Sequence, residues 1–125
     1  MKPLPTFGTP RSKLTVIEGL EFPIRRVYFL HSFDPAVTRA GHAHRKLHRL
    51  MVAVAGSVRA TLDGELVVLN RPEMALELPP MTWLEIAEVS KDAVLLMIAS
   101  EGHDENDCIR DRAEYLELRR QAGLE

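Results

Sequence analysis

Three of the five histidines, His42, His44 and His48, lie within seven residues of one another, in the stretch RAGHAHRKLH. Histidine changes charge near neutral pH, and its neutral imidazole is a common ligand of zinc, iron, nickel and copper. If the stretch is a strand, His42 and His44 point to the same side, about 7 Å apart. The cluster therefore indicates acid–base chemistry, a metal site, or hydrogen-bonded loop residues.

A metal site would need more ligands than this pair provides. Complete sites usually have three or four ligands, often with a carboxylate among them. His48 is a candidate third ligand, but the segment expected to close the site, PPMTWLE, offers Trp83 where another histidine is needed. Arg39, Arg45 and Lys46 would also oppose a dication unless they point away. Two histidines on one face can instead take a proton from one atom and deliver one to another.

The elements that must position the cluster are mostly strands. HRLMVAVAG, from His48 to Gly56, is nearly continuous apolar and predicts a buried strand. Asp63-Gly64 between two β-like runs predicts a two-residue hairpin. Turn residues recur about every ten positions up to Ser100, a spacing typical of a barrel or a double-sheet jelly roll. We therefore expect an all-β fold with a C-terminal helix.

The two ends of the chain differ from this β pattern. Residues 1–12 are Pro-rich and predict an extended N-terminal segment. Residues 104–122 predict a helical segment, with Asp111 as a possible N-cap and Gly123 as its end. The 125 residues show no repeat or linker, so a single domain spanning 1–125 is expected.

Composition excludes several classes of function. The net charge is −2, whereas nucleic-acid binders usually carry a basic excess. The longest apolar run, AVLLMIA, is too short to span a membrane. The single cysteine, Cys108, rules out an intramolecular disulfide framework, and the prolines in MKPLPTFGTP do not fit a signal peptide. These features predict a cytoplasmic protein that binds neither nucleic acid nor membrane.

Three stretches, taken in order, resemble one known family. They are RAGHAHRKLHRLMVAVAGSVRATLDG, LPPMTWLEI and DAVLLMIASEGHDENDCIRDRAEYL. Together they are similar to the nucleotide-sugar 3,4-ketoisomerases, small cupins also met as the WxcM-like domain, which act on dTDP-4-keto-6-deoxyglucose. The resemblance runs from about Ile24 to Leu116. It implies a cupin-type jelly-roll β-barrel and a homodimer in which the N-terminal strand of one subunit pairs with the other.

The resemblance also implies roles for individual residues. The two histidines of the His-Ala-His motif, here His42 and His44, would catalyse isomerisation to the 3-keto sugar through an enediolate, with no metal and no cofactor. His42 is slightly favoured as the carbon base. Arg39 is the first candidate for binding the oxyanion or the diphosphate, and Arg26 is the second phosphate candidate.

The remaining predictions concern the pocket, the pathway and the alternatives. Tyr28 and Trp83 are expected to line the sugar or thymine pocket, and the product would serve dTDP-3-amino-sugar biosynthesis. Two other functions stay open from the sequence. One is a metal-dependent cupin enzyme, and the other is a non-catalytic sugar-nucleotide-binding module.

Overall fold

The computed structural model describes residues 1–34 and 39–123, without the side chains of residues 39 and 40. The described chain is mostly β, with a short 3₁₀ helix at Glu105–Asp107 and one α-helix, α1, at Arg112–Gln121. The strands are β1 (Lys2–Pro3), β2 (Thr6–Thr9), β3 (Ser12–Thr15), β4 (Arg26–Leu30), β5 (Arg39–His44), β6 (Arg49–Ala55), β7 (Val58–Leu62), β8 (Glu65–Leu69), β9 (Met74–Leu78), β10 (Leu84–Val89), β11 (Val94–Ala99) and β12 (Cys108–Ile109).

Two five-stranded sheets form the body of the fold. Their strand orders are β1-β9-β6-β11-β4 and β12-β5-β10-β7-β8, and β2 pairs with β3 in a separate hairpin. All the strand pairs are antiparallel. This two-sheet arrangement with one C-terminal helix confirms the predicted all-β, jelly-roll class.

The main core fills the space between the two sheets. It contains inward-facing apolar residues of both: Met51, Ala53, Val58, Ala60, Leu69, Leu76, Leu78, Leu84, Leu95 and Met97. On β6 the alternation is strict, because Met51 and Ala53 face this core while Leu50 and Val52 pack in a second cluster on the other side. Because every second residue of a strand faces the same side, a polar residue two positions before Met51 would also point between the sheets.

The predicted hairpin at Asp63-Gly64 is confirmed. Leu62 pairs with Glu65 across it, and both turn residues have positive φ, 50° for Asp63 and 86° for Gly64. Two consecutive positive φ values define the type I′ turn, whose twist matches that of the flanking strands.

Both ends of the chain have more structure than the sequence predicts. The expected extended segment at 1–12 contains β1, which pairs with β9, and β2, which pairs with β3. Within the expected helical segment at 104–122, the 3₁₀ helix at Glu105–Asp107 comes first, β12 then pairs with β5, and the α-helix begins only at Arg112. Asp111 caps α1 through its side chain and Gly123 follows the helix with a φ of 74°, as predicted. In the two described ranges, no helix is both long and apolar enough to cross a membrane.

Candidate active site

Strand β5 places His42 and His44 on one face, as the alternation of the sequence predicts. Leu84 of β10 lies opposite His42 in the register and faces the main core, so the histidine row also faces the space between the sheets. The two imidazole rings stand edge to face, with their centroids 5.4 Å apart. The pair is close enough for both rings to contact adjacent atoms of one small molecule.

The opposite face of β5 is covered by apolar groups. Ala43 is fully buried in a cluster with Trp83, Ile109 and Tyr115. A side-chain carbon at Gly41 would overlap the indole of Trp83, so glycine permits the close approach of that ring. The indole Nε1 donates to Glu85 over 2.8 Å.

This packing separates Trp83 from the other predicted site residues. Trp83 is 4 % exposed, and its indole covers the face of β5 that does not carry the histidines. Trp83 does not line the cavity beside the histidines, and its predicted contact with a sugar or thymine stays a prediction.

A cavity of about 790 Å³ opens beside the histidine pair. Arg26 and Tyr28 line it, with the Arg26 guanidinium 4.4 Å from the centre of the Tyr28 ring. The structure thus brings four of the predicted site residues together. The other residues that line the cavity are Lys46, Leu47, Arg49, Glu101, Gly102, His103, Asp104, Glu105, Asp107, Cys108 and Arg110. The volume and the mixed charges suit a polar ligand of moderate size.

Two further predictions concern Arg39 and His48. Arg39 begins β5, but its side chain lies outside the described residues, so its predicted role stays a prediction. The His48 ring packs near Phe22, with centroids 5.6 Å apart, and lines a smaller pocket of about 140 Å³ rather than the main cavity. His48 is therefore separated from the His42–His44 pair.

His44 is held in its neutral form. Its side chain is 16 % exposed, and Nδ1 lies 3.5 Å from Oδ2 of Asp107. Burial, followed by the charges of Arg49 and His42, lowers the pKa of His44 to about 4, while Asp107 opposes that shift. The Asp107 contact is too long to count as a hydrogen bond, and Nδ1 has no other hydrogen-bond partner in the described structure. At neutral pH, His44 can therefore both accept and donate a proton.

Asp107 fixes the loop that follows the histidines. Its carboxylate accepts hydrogen bonds from the backbone N–H groups of Lys46 and Leu47, over 2.9 and 3.1 Å. Next to it, Cys108 pairs with His44 in the β12–β5 register, and burial raises the pKa of the Cys108 thiol. Sequence reasoning missed Asp107, since no local pattern connects it with a strand about 60 residues earlier in the chain.

Arg49 is the second site residue that sequence reasoning missed. It lines the cavity although it is only 6 % exposed, and its Nη1 lies 3.4 Å from Nε2 of His42. A signal was available, because Arg49 has the phase of Met51 and Ala53 at the start of an apolar strand. An arginine in that phase has to enter the sandwich.

The described residues contain no group of three or more His, Cys, Asp or Glu side chains arranged to hold a metal ion. His42 and His44 line the cavity side by side, and His103 lines it as well. The prediction that they act without metal or cofactor stays a prediction.

Known proteins with similar sequences belong to the family that the sequence motifs resemble. A family model described as "FdtA: WxcM-like, C-terminal" matches residues 1–120. A curated protein of Aneurinibacillus thermoaerophilus, a TDP-4-oxo-6-deoxy-alpha-D-glucose-3,4-oxoisomerase, is 35% identical over 107 residues, which are 80% of this chain and 77% of that protein.

Solved structures share the fold across nearly the whole chain. One is a double variant of the 3,4-ketoisomerase QdtA from Thermoanaerobacterium thermosaccharolyticum in complex with TDP, with a TM-score of 0.91, 34% identity, and coverage of 98% of this chain and 94% of that one. Another is a histidine-to-asparagine variant of the same enzyme in complex with TDP-4-keto-6-deoxyglucose, with a TM-score of 0.87, 33% identity, and coverage of 98% and 94%.

Proposed function

Because the chain belongs to the WxcM-like FdtA family, we propose that it is a 3,4-ketoisomerase that converts TDP-4-keto-6-deoxyglucose into the 3-keto isomer. The family membership confirms the resemblance that the sequence motifs carry. The observation that supports the proposal most is the pair of imidazoles, 5.4 Å apart, on the wall of a cavity of about 790 Å³.

The reaction requires two proton movements between adjacent carbons. Removal of the C3 proton, which is acidic because the C4 ketone lies next to it, sends the C–H electrons into a C3–C4 double bond and places negative charge on O4. Transfer of the O3 proton to O4, followed by protonation of C4, gives the 3-keto sugar with no net change in atoms or electrons. One base must reach C3 and C4, and one group must serve O3 and O4.

His42 and His44 can divide these tasks. We assign His42 as the carbon base, since Arg49 can only donate a hydrogen bond and Nε2 of His42 must accept it with an unprotonated lone pair. His44, with its pKa lowered to about 4, is uncharged at pH 7 and can relay the proton between O3 and O4.

The remaining cavity residues would hold the nucleotide portion. Arg26 suits a diphosphate oxygen, because a guanidinium matches phosphate with two parallel donors. Tyr28 provides an aromatic wall next to it. Arg39 is retained as a diphosphate or oxyanion candidate on sequence grounds alone. The predicted cytoplasmic location also stays a prediction.

The test is to generate TDP-4-keto-6-deoxyglucose in situ in D₂O with EDTA present and to follow it by NMR. We expect a 3-keto product with deuterium at C4. Absence of product would contradict the proposal. If activity returned only with added metal, the protein would be a metal-dependent cupin enzyme. Tight TDP binding with no turnover, with or without metal, would instead favour a binding module.

We also propose that the protein forms a homodimer with exchange or pairing of its N-terminal strands. The hairpin of β2 and β3 exposes the cross-strand pair Phe7 and Leu14, at 61% and 64%. The outer face of β4 exposes Val27 and Phe29, at 58% and 60%. Large apolar side chains grouped this way are typical of a surface that a second subunit covers.

Light scattering of the Phe7→Asp variant tests the dimer. We expect the wild type to have twice the mass of one chain and the variant to shift to a single chain. Leu116→Asp on the exposed face of α1 is the matched control and should stay dimeric. A monomeric wild type would contradict the dimer proposal and leave the proposed reaction untouched.

A further inference from the structure

Arg49 enters the sandwich from the end of a buried strand. It is the first residue of β6, opposite Ala99 of β11 and Leu78 of β9 in the register. Its phase is that of Met51 and Ala53, whose side chains belong to the main core. The neighbouring backbone is fixed by two hydrogen bonds between His48 and Ser100, one of which uses the serine hydroxyl. Arg49 therefore lines the cavity from a stretch of backbone that is held in place.

Within the described residues, Arg49 forms no ion pair with a carboxylate. Across residues 1–34 and 39–123, no carboxylate lies within 4.0 Å of it, and its Nε, which is shielded from solvent, has no hydrogen-bond partner. Arg45 on the neighbouring loop differs, since its Nη2 lies 2.8 Å from Oε1 of Glu114. Burial lowers the pKa of the Arg49 guanidinium and the nearby Tyr28 opposes that shift. Arginine nevertheless stays charged in proteins.

A buried cation without a carboxylate partner is costly, because no opposite charge replaces the hydration that it loses. The cost is offset when a ligand brings negative charge to the same place. The isomerisation proposed above supplies negative charge at two places, on the diphosphate and on the oxygens of the enediolate. The diphosphate is attached at C1, across the sugar ring from C4.

The contact with His42 distinguishes these two sources. Nη1 of Arg49 lies 3.4 Å from Nε2 of His42, the atom assigned to take the C3 proton. O3 and O4 are one bond away from the carbons that His42 must reach, so the same guanidinium can reach them. At 3.4 Å the contact is long, and a substrate oxygen can replace the imidazole as the acceptor.

We propose that Arg49 is a catalytic residue that donates hydrogen bonds to the oxygen that becomes negatively charged in the enediolate. This role rests on the proposed ketoisomerase function. Arg49 transfers no proton and keeps its charge throughout, while the electrons of the C3–H bond move to the C3–C4 double bond and onto O4. Since the oxygen gains charge only as the proton leaves, the interaction strengthens in the transition state and should act on kcat rather than on binding.

Arg49→Gln tests the role by steady-state kinetics and by calorimetric titration with TDP. We expect kcat to fall about 10²–10³-fold, the usual effect of losing one oxyanion donor. KM and the Kd for TDP should stay within about 3-fold, which also shows that the variant is folded. Arg59→Gln, on the exposed face of β7, is the matched control and should keep full activity.

Arg49→Lys keeps the charge but loses the planar set of donors, and should fall between Arg49→Gln and the wild type. It also provides the test if Arg49→Gln does not fold. Unchanged kcat in either folded variant would overturn the proposal, as would weaker TDP binding with intact kcat, which would assign Arg49 to the diphosphate. Wild-type protein without turnover would instead end the proposed function, and with it this role.

Discussion

The two faces of the six-residue strand β5 differ in their surroundings: one lines the cavity and the other packs in an apolar cluster. On the inner face, His42 and His44 line a cavity beside the buried Arg49 guanidinium and the Asp107 carboxylate. On the outer face, Gly41 and Ala43 lie beneath Trp83 and Tyr115, in a cluster whose polar groups are paired. The comparison indicates that the inner face is tuned for chemistry at the expense of stability, while the outer face provides the stability that holds it in place.

The largest expected effect comes from removing the carbon base. His42→Asn should lower turnover about 10²–10⁴-fold, the usual contribution of a positioned base, with little change in melting temperature or TDP binding. His31→Asn makes the same chemical change at an exposed position and should keep full turnover. Wild-type turnover in the His42→Asn variant would contradict the assignment of catalysis to the inner face of β5.

The second effect is a pH dependence of stability that originates on the inner face. Folding lowers the pKa of His44 from 6.5 to about 4. Between these pH values His44 is more protonated in the unfolded chain than in the folded chain. The contribution of His44 to stability is therefore complete above pH 6.5 and is lost as the pH falls towards 4. The shift corresponds to roughly 3 kcal/mol.

Urea denaturation of the wild type and His44→Asn at pH 7 and at pH 4.5 measures this contribution. The wild type should lose more free energy of unfolding than the variant over this interval, because only the wild type carries the His44 imidazole, whose pKa folding lowers. Equal losses in the two proteins would mean that His44 is not held neutral by its surroundings.

A smaller effect is expected on the outer face. In Gly41→Ala the added carbon meets the Trp83 indole and approaches Cγ of Glu85 to 2.7 Å. Overpacking of this kind costs about 1–3 kcal/mol, which thermal and chemical denaturation would show. Gly102→Ala is the matched control, since nothing lies within 4 Å of the added carbon. Equal stability of the two variants would contradict the close approach of Trp83 to β5.

The smallest effect is expected at the base of the outer cluster. The Tyr115 hydroxyl lies 2.6 Å from Oδ1 of Asp63 and accepts a hydrogen bond from Arg119 over 3.1 Å. Tyr115→Phe should lower the free energy of unfolding by about 1–2 kcal/mol and leave turnover within about 3-fold. Leu116→Ala, on the exposed side of the helix, should change stability by less than about 0.5 kcal/mol. A large loss of turnover in Tyr115→Phe would mean that the two faces are coupled.

Local patterns were sufficient for the buried strand β6, the Asp63-Gly64 hairpin, the cap at Asp111 and the shared face of His42 and His44. Each depends on residues close in sequence, where strand parity or turn chemistry decides the outcome. Asp107 and the short strand β12 depend on pairing with β5 across about 60 residues, for which the sequence has no periodic signal. The position of Trp83 could not be predicted for a similar reason. Its indole packs against Tyr115 of α1, a contact between segments about 30 residues apart in the chain.

Deuterium exchange at C3 tests the central assignment most directly. With the 4-keto sugar nucleotide in D₂O, NMR would follow the loss of the C3 proton in the wild type, His42→Asn and His44→Asn. We expect His44→Asn to exchange C3 while forming little 3-keto product, because the carbon base remains and the relay between the oxygens is lost. His42→Asn should show no exchange at C3. Exchange at the wild-type rate in His42→Asn would contradict the assignment of the carbon base and, with it, the role of the inner face.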